Sequence, residues 1–197
     1  MIGFNIVGDD FVTNEFPSIR LSDLKLEIVS EGVSVGVEVE GNGAALTIDA
    51  MRMHILTSAG GQGYVSVDMN TTISNSTIIV EGDGGDLSGI TRIANAGDGF
   101  SLLSTNVQLS SEGPVGIGSV GVENLGGGSG LRQPMIVRDS RIRADTSIRA
   151  QGIPSGNRTY VSDSIILGNV LGEPFCDFVF TTIGQRLDNN CGVPESQ

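Results

Sequence analysis

Residues 161–168 read VSDSIILG, and near-copies of this short stretch recur along the chain. In each copy, apolar or small residues occupy positions 1, 4, 6 and 8. The other copies are LSDLKLEI (21–28), IDAMRMHI (48–55), ISNSTIIV (73–80), LLSTNVQL (102–109) and VRDSRIRA (137–144). Their first residues lie 24 to 35 positions apart. The chain therefore contains a structural repeat with loops of variable length.

The third position of each copy predicts a bend. Positions 4, 6 and 8 alternate and point to one face of a strand, whereas the gap between positions 1 and 4 shifts that alternation. Asn and Asp suit such a bend because they tolerate the left-handed conformation and bond to the nearby backbone. The residues at this position are Asp23, Ala50, Asn75, Ser104, Asp139 and Asp163.

The repeats predict stacked coils of β-structure. Each copy is followed by a glycine-rich turn and, in most cases, by a second alternating stretch such as VSVGVEVEG (33–41) or YVSVDMN (64–70). One coil cannot bury its own apolar face, whereas stacked coils form a continuous core. The sequence therefore predicts an all-β solenoid. The ladder residues that we expect to be buried between coils are Ile78, Val107, Ile142 and Ile166.

Coils of about 25 residues with an Asn, Asp or Ser bend before a short strand resemble those of the pectate-lyase-like superfamily, over residues 21 to about 180. The resemblance implies a right-handed parallel β-helix, here of about six coils because six copies are present. We expect one domain, with an N-terminal cap (1–20), coils (21–174) and a C-terminal capping segment (175–197). The alternative is a β-sandwich, which explains the strands but not the repeated bend, and which calls for more Asn-Gly or Asp-Gly turns.

The composition limits the classes of partner. The chain has 11 Lys and Arg against 23 Asp and Glu, a formal net charge of −12. Such a surface repels nucleic acid, and it also disfavours acidic polysaccharides unless a divalent cation bridges the like charges. A single histidine, His54, makes a zinc site unexpected. No apolar run approaches the ~20 residues of a membrane span, and MIGFNIVGDD does not resemble a signal peptide.

Two cysteines, Cys176 and Cys191, lie near the C-terminus. They either form a disulfide or remain as two free thiols in the core. A disulfide would indicate an oxidising compartment, and hence an extracellular or periplasmic location. The surrounding segment FCDFVFTTIGQRLDNNC (175–191) resembles the endings of uncharacterised exported bacterial β-helix proteins. We expect the repeat to stop after Gly168 and three phenylalanines to close the core as a plug or as a final strand: Phe175, Phe178 and Phe180.

The resemblance implies that any active site lies on the outer face of one sheet. Alternation in the second stretch of each coil predicts an outward strip of mixed charge, consisting of Glu38, Asp68, Arg92 and Arg149. Two carboxylates on adjacent coils could hold a cation such as Ca²⁺ or form an acid/base pair, and an arginine could stabilise developing charge. The alternative is a solvated face with ion pairs between coils. We expect no cofactor and no dedicated metal site.

Three functions remain open from the sequence. The first is a non-catalytic β-helix module, acting as a rigid scaffold or a weak glycan-binding face of an exported or surface protein. The second is a polysaccharide lyase or glycoside hydrolase, and the third is a phage or surface spike fragment. We also expect a protruding loop at NLGGGSGLRQP (124–134), because extra length in a solenoid extends outward. The oligomeric state does not follow from the sequence.

Overall fold

The structure is a computed structural model that describes residues 2–8, 18–41, 45–82, 86–94, 99–111, 118–126, 134–151 and 158–193. The strands of the first half are β1 (Ile2–Gly8), β2 (Ser18–Ser22), β3 (Lys25–Ser30), β4 (Ser34–Gly41), β5 (Ala45–Asp49), β6 (Arg52–Thr57), β7 (Gly61–Val67), β8 (Asn70–Ser74), β9 (Thr77–Gly82) and β10 (Leu87–Ala94). Those of the second half are β11 (Phe100–Leu103), β12 (Asn106–Ser111), β13 (Val120–Gly126), β14 (Met135–Arg138), β15 (Arg141–Gln151), β16 (Thr159–Ser162), β17 (Ile165–Gly172), β18 (Phe175–Asp177) and β19 (Phe180–Thr181).

The strands form three walls. Wall 1 is a seven-stranded sheet of β2, β5, β8, β11, β14, β16 and β18. Wall 2 consists of β3, β6, β9, β12, the first parts of β15 and β17, and β19. Wall 3 consists of β1, β4, β7, β10, β13 and the later parts of β15 and β17. Each coil passes through walls 1, 2 and 3 in turn.

The coils stack into a parallel β-solenoid of about five turns, close to the predicted number of coils. The all-β fold and the stacked repeat are therefore confirmed. The alternative β-sandwich is wrong, because the named strands of the described chain pair with one another in parallel, one coil apart. A sandwich built from hairpins would pair them antiparallel.

The predicted bends lie at the corner between walls 1 and 2. All six residues adopt a positive φ, between 48° and 56°. A seventh bend, at Phe178 (φ 53°), separates β18 from β19. The repeat therefore continues beyond Gly168, and the prediction that it stops there is wrong.

A ladder of buried hydroxyl groups stabilises this corner. In the fourth position of the repeat, Ser140 donates its hydroxyl to the Arg138 carbonyl at 2.8 Å and accepts the Thr105 N–H at 3.2 Å. Ser164 repeats the arrangement one coil later, because it accepts the Ser140 N–H at 3.1 Å. Ser76 does the same for the N–H of Met51 at 3.0 Å. The bend takes these backbone N–H groups out of the ladder, and the hydroxyls satisfy them.

The core lies inside the three walls, and the predicted ladder lines it along wall 2. Ile78, Val107 and Ile142 are fully buried and Ile166 is 2% exposed, as predicted. Facing them on wall 3 is a stack of four glycines in register, Gly36, Gly63, Gly89 and Gly121. Each glycine also points inward, so two consecutive residues of β4, β7, β10 and β13 face the core. The alternation is therefore inverted in the middle of these strands.

The C-terminal tail covers the last coil. Cys176 continues the inward row of wall 1 after Val161, and it is bonded to Cys191 as a disulfide. Leu187 is buried, and its N–H donates to the Val179 carbonyl at 2.9 Å. Phe175 and Phe178 are 38% and 51% exposed, so a phenylalanine plug is wrong, whereas Phe175 and Phe180 do lie in the final strands β18 and β19. Cysteine, valine and leucine side chains close the core instead.

Two predicted features fall largely outside the described residues. The predicted loop at 124–134 is described only at its two ends, and residues 127–133 lie outside the description. Most of the expected N-terminal cap, residues 9–17, lies outside it as well. In the part of the chain that the structure describes, no helix has the length and apolar character needed to cross a membrane.

Candidate functional site

The predicted strip does not form a continuous surface. Glu38 and Arg149 do share one outward row on wall 3, and the residues between them in that row are Val65, Thr91 and Glu123. Val65 and Thr91 are only 6% and 3% exposed, so the middle of this row is covered. The two charged residues therefore stand at opposite ends of a buried stretch.

Arg92 points inward, not outward as predicted. It is 2% exposed and lies in the inner row of wall 3, between Ser66 and Asn124. Its guanidinium donates to Asn124 Oδ1 at 3.1 Å, and Asn124 Nδ2 donates to Thr159 Oγ1 at 2.9 Å. Arg92 faces the same way as Ile90, which lies two positions earlier in β10 and is fully buried.

A second polar group also lies inside the solenoid. Ser66 on β7 is 1% exposed, and its hydroxyl lies 3.2 Å from Thr71 Oγ1. The Tyr64 hydroxyl lies 3.3 Å from the same oxygen. Burial raises the pKa of Tyr64 well above its usual value, so the phenol is neutral. These hydroxyl groups bond to one another inside the solenoid, where a ligand in solution does not reach them.

Asp68 and Arg149 also have local roles. Asp68 follows the end of β7 in a left-handed conformation (φ 48°), three residues beyond the row that holds Glu38. The predicted carboxylate pair is therefore not aligned on adjacent strands. Arg149 donates to Glu123 Oε1 at 2.8 Å, an ion pair between neighbouring coils. For Arg149, the structure thus matches the alternative of a charged face with ion pairs.

The outer face of wall 2 carries a different group of charges, which we call the basic face. Its two rows run along the stack at roughly 4.8 Å per strand. The first row is Lys25, Arg52, Thr77, Asn106 and Arg141. The second row is Glu27, His54, Ile79, Gln108 and Arg143.

Four cations of the basic face have no acidic partner among the described residues. No described carboxylate lies within 4.0 Å of Lys25, Arg52, Arg141 or Arg143. Arg141 and Arg143 therefore form no ion pair with a described acidic residue of an adjacent coil. In contrast, Arg138, Arg149 and Arg186 each pair with an acidic residue. A protein with twelve surplus negative charges thus keeps four of its cations unpaired on one face.

A groove of about 390 Å³ opens at the N-terminal end of the basic face. The polar side chains in its lining come from Lys25, Glu27, Arg52, His54 and Thr77, and Leu26, Met53 and Ile79 complete it. His54 Nε2 lies 2.9 Å from Glu81 Oε2, which draws the imidazole toward β9. The groove therefore presents an ammonium, a guanidinium and a hydroxyl from three adjacent strands.

Sequence reasoning missed the basic face, although the repeat contained the signal. Positions 5 and 7 of the frame must point outward if positions 4, 6 and 8 point inward. Reading them along the six copies gives Lys and Glu, Arg and His, Thr and Ile, Asn and Gln, Arg and Arg, and finally Ile and Leu. The prediction examined the second stretch of each coil instead.

The described residues contain no group of three or more His, Cys, Asp or Glu side chains arranged to hold a metal ion. The chemistry of the basic face is therefore that of fixed cations and hydrogen-bond donors. Comparison of the chain with protein-family models, with curated proteins and with solved structures gives no match.

Proposed function

We propose that this chain is a non-catalytic β-solenoid module, a rigid scaffold of an exported or surface protein whose basic face binds glycans. The observation that carries the proposal is the set of four unpaired cations on one face of an acidic protein. Between them lie Thr77, Asn106 and Gln108, whose side chains can exchange hydrogen bonds with sugar hydroxyls. The resemblance to the pectate-lyase-like superfamily enters this proposal only through its architecture. The parallel solenoid supports the role of a rigid scaffold.

The rigid backbone of the solenoid suits this role. Neighbouring strands fix the outward side chains at a regular spacing, so a glycan meets pre-positioned groups and loses less freedom from the protein side. The ten residues that define the two rows of the basic face include no aromatic residue, although the first row continues past Arg141 to Ile165 and Phe180. We therefore propose weak binding that depends on charge and is sensitive to salt.

An extracellular or periplasmic location fits the same proposal. The disulfide between Cys176 and Cys191 indicates an oxidising environment. Glycans of cell surfaces and matrices are accessible to a protein in that environment.

A polysaccharide lyase or hydrolase is the second candidate, and the His54–Glu81 pair in the groove favours it. A histidine held by a carboxylate is a common acid/base arrangement. However, the His54 and Glu81 side chains are 46% and 38% exposed, and catalytic pairs usually act in sites from which water is excluded. We therefore place the binding module first.

The test is a panel of neutral and acidic oligosaccharides, measured for binding and for product release with the same protein sample. We expect salt-sensitive binding without new reducing ends or unsaturated sugars. The double variant Arg141→Ala and Arg143→Ala should bind less well, whereas Arg138→Ala, whose arginine pairs with Asp139 at 3.5 Å on a neighbouring face, should not change binding. Product release would establish the enzyme instead, and absence of binding to every glycan would overturn the proposal.

A further inference from the structure

The groove at the N-terminal end of the basic face has a more specific chemistry than the rest of that face. Lys25 and Arg52 are register partners on β3 and β6, so their backbones lie roughly 4.8 Å apart. Thr77 is the next member of the same row, on β9. The lysine ammonium, the arginine guanidinium and the threonine hydroxyl therefore lie side by side in the lining of one cavity of about 390 Å³.

The two cations repel each other, and neither of them forms an ion pair with a described carboxylate. No carboxylate of the described residues lies within 4.0 Å of either side chain. Glu81 lies on β9, one coil after Arg52, and it already has two partners. Its carboxylate lies 2.9 Å from His54 Nε2 and accepts a hydrogen bond from the Ser110 hydroxyl at 3.3 Å. An anion bound between Lys25 and Arg52 would compensate both charges at once.

The number of donors selects the kind of anion. A planar carboxylate offers two oxygens, which one arginine fork satisfies alone. A phosphate or sulfate ester offers three terminal oxygens, and this number matches an ammonium, a guanidinium and a hydroxyl from three successive strands. Glu27 and His54 line the same groove one row away, at a position suited to sugar hydroxyls.

We propose that this groove binds a tetrahedral oxyanion ester on a sugar, with Lys25, Arg52 and Thr77 as its anion-binding residues. The proposal rests on the proposed glycan-binding function and names the ligand class for one end of the basic face. Phosphate and sulfate esters share this chemistry, and the experiment separates them.

The experiment is a titration of the full chain by calorimetry and by NMR, with four probes: inorganic phosphate, inorganic sulfate, a hexose phosphate and the corresponding hexose sulfate. A hexuronate serves as the carboxylate comparison. We expect at least one ester to bind more tightly than the hexuronate, and the tighter of the two esters identifies the source. The Lys25→Ala and Arg52→Ala variants should each weaken that binding by about tenfold or more, because each removes a charge-assisted contact.

The matched control is Arg138→Ala, which removes a cation from wall 1, outside the basic face. Its dissociation constant for the ester should stay within about twofold of the unaltered chain. Equal weakening by Arg138→Ala and Arg52→Ala would overturn the proposal, because it would indicate diffuse attraction to the protein's cations in general. Hexuronate binding as tight as both esters would overturn it as well. Binding of neutral or uronate glycans without ester binding would disprove the ester site. The proposed glycan-binding function would still be supported in that case.

Discussion

At the scale of single residues, four glycines decide how closely two walls of the solenoid approach. A Cβ atom on Gly89 would lie 2.6 Å from the Gly121 carbonyl oxygen and would overlap Val107 Cγ1. A Cβ on Gly63 would lie 2.5 Å from the Gly89 carbonyl oxygen. These spacings are far below van der Waals contact. The glycine stack therefore lets the backbone of wall 3 rest directly on the apolar ladder of wall 2.

We expect Gly89→Ala to lower the free energy of unfolding by about 1–3 kcal/mol, the usual cost of overpacking a filled core. The measurement is urea unfolding followed by circular dichroism. Gly32→Ala is the matched control, because a Cβ on Gly32 meets nothing within 4 Å, and its effect should be within about 0.5 kcal/mol. Equal stability of the two variants would contradict close contact between the walls.

A second residue-scale effect concerns Asp49, at the corner beside the bend. The Asn75 amide donates to Asp49 Oδ1 at 2.9 Å and the Ser74 hydroxyl donates to the same oxygen at 2.8 Å. These bonds hold the pKa of Asp49 below its ordinary value of 3.8. A carboxyl with a depressed pKa stabilises the fold above the unfolded pKa, and this contribution disappears as the pH falls through the folded pKa.

We expect Asn75→Gly to raise the pKa of Asp49 toward its ordinary value. Glycine keeps the left-handed conformation at this bend, where φ is 49°, and removes only the amide donor. An NMR titration of the Asp49 carboxyl measures the shift directly. Asn169→Gly, on the outer surface of β17, should leave that titration unchanged. An unmoved Asp49 midpoint in Asn75→Gly would show that the amide bond does not set its pKa.

At the scale of strands and bends, the hydroxyl ladder explains why the corner tolerates Ser and Thr inside the core. The Arg138 carbonyl accepts two bonds, from the Ser104 N–H at 3.0 Å and from the Ser140 hydroxyl at 2.8 Å. The Leu103 carbonyl accepts in the same way from the Asn75 N–H and the Thr105 hydroxyl, at 3.1 and 2.9 Å. Each bend is therefore joined to the next coil by backbone and side-chain bonds together.

We expect Ser140→Ala to cost about 1–3 kcal/mol of stability, because it leaves the buried Thr105 N–H without an acceptor. Thermal and urea unfolding measure the loss. Ser110→Ala removes an exposed hydroxyl from the neighbouring strand and should change stability by less than about 0.5 kcal/mol. If both variants unfolded alike, the ladder would contribute nothing measurable to the corner.

The bends and the first strand after each bend were predictable from the sequence, because a local rule governs them. Asp163 and its equivalents need a left-handed backbone, and the alternation that follows places Ile166 inward. The direction of Arg92 was not predictable by the same rule. Ile90 and Ile93 flank Arg92 in β10 and lie three positions apart, so alternation cannot place both of them inward. Hydrophobic periodicity therefore does not decide whether Arg92 shares the direction of Ile90 or opposes that of Ile93.

The candidate site was predictable in part for a related reason. Lys25 and Arg52 lie at outward positions of the repeat frame itself, so aligning the copies is enough to place them in one row. Their lack of acidic partners depends on how the acidic residues are distributed around the three walls. Glu81 pairs with His54 from two strands of the stack, a contact between residues 27 positions apart. Such contacts follow from the register of the coils, which spacing in the sequence gives only approximately.

At the scale of the whole molecule, the ends of the stack determine whether the solenoid stays closed. The last coil would expose its interior, since each coil is covered only by its neighbours. The tail meets this need by running back along the final strands, where the Cys176 N–H donates to the Asn189 carbonyl at 2.9 Å. Phe180 and Arg186 form an antiparallel bridge on the same path. This return segment also covers strand edges that could otherwise pair with another molecule.

The disulfide fixes this return segment, and its removal gives the last prediction. It joins residues 15 positions apart, a loop size for which chain entropy predicts about 3 kcal/mol of stabilisation. We expect the double variant Cys176→Ala and Cys191→Ala to lose about that amount in urea unfolding. Reduction should destabilise the unaltered chain similarly and leave the double variant unchanged. Cys176 and Cys191 are 1% and 6% exposed, so reduction of the disulfide should be slow until the tail opens. The Leu187 N–H is bonded to the Val179 carbonyl, so its hydrogen exchange measures that opening directly. Two free thiols in the denatured, unreduced protein would contradict the disulfide, and the case for an oxidising compartment would fall with it.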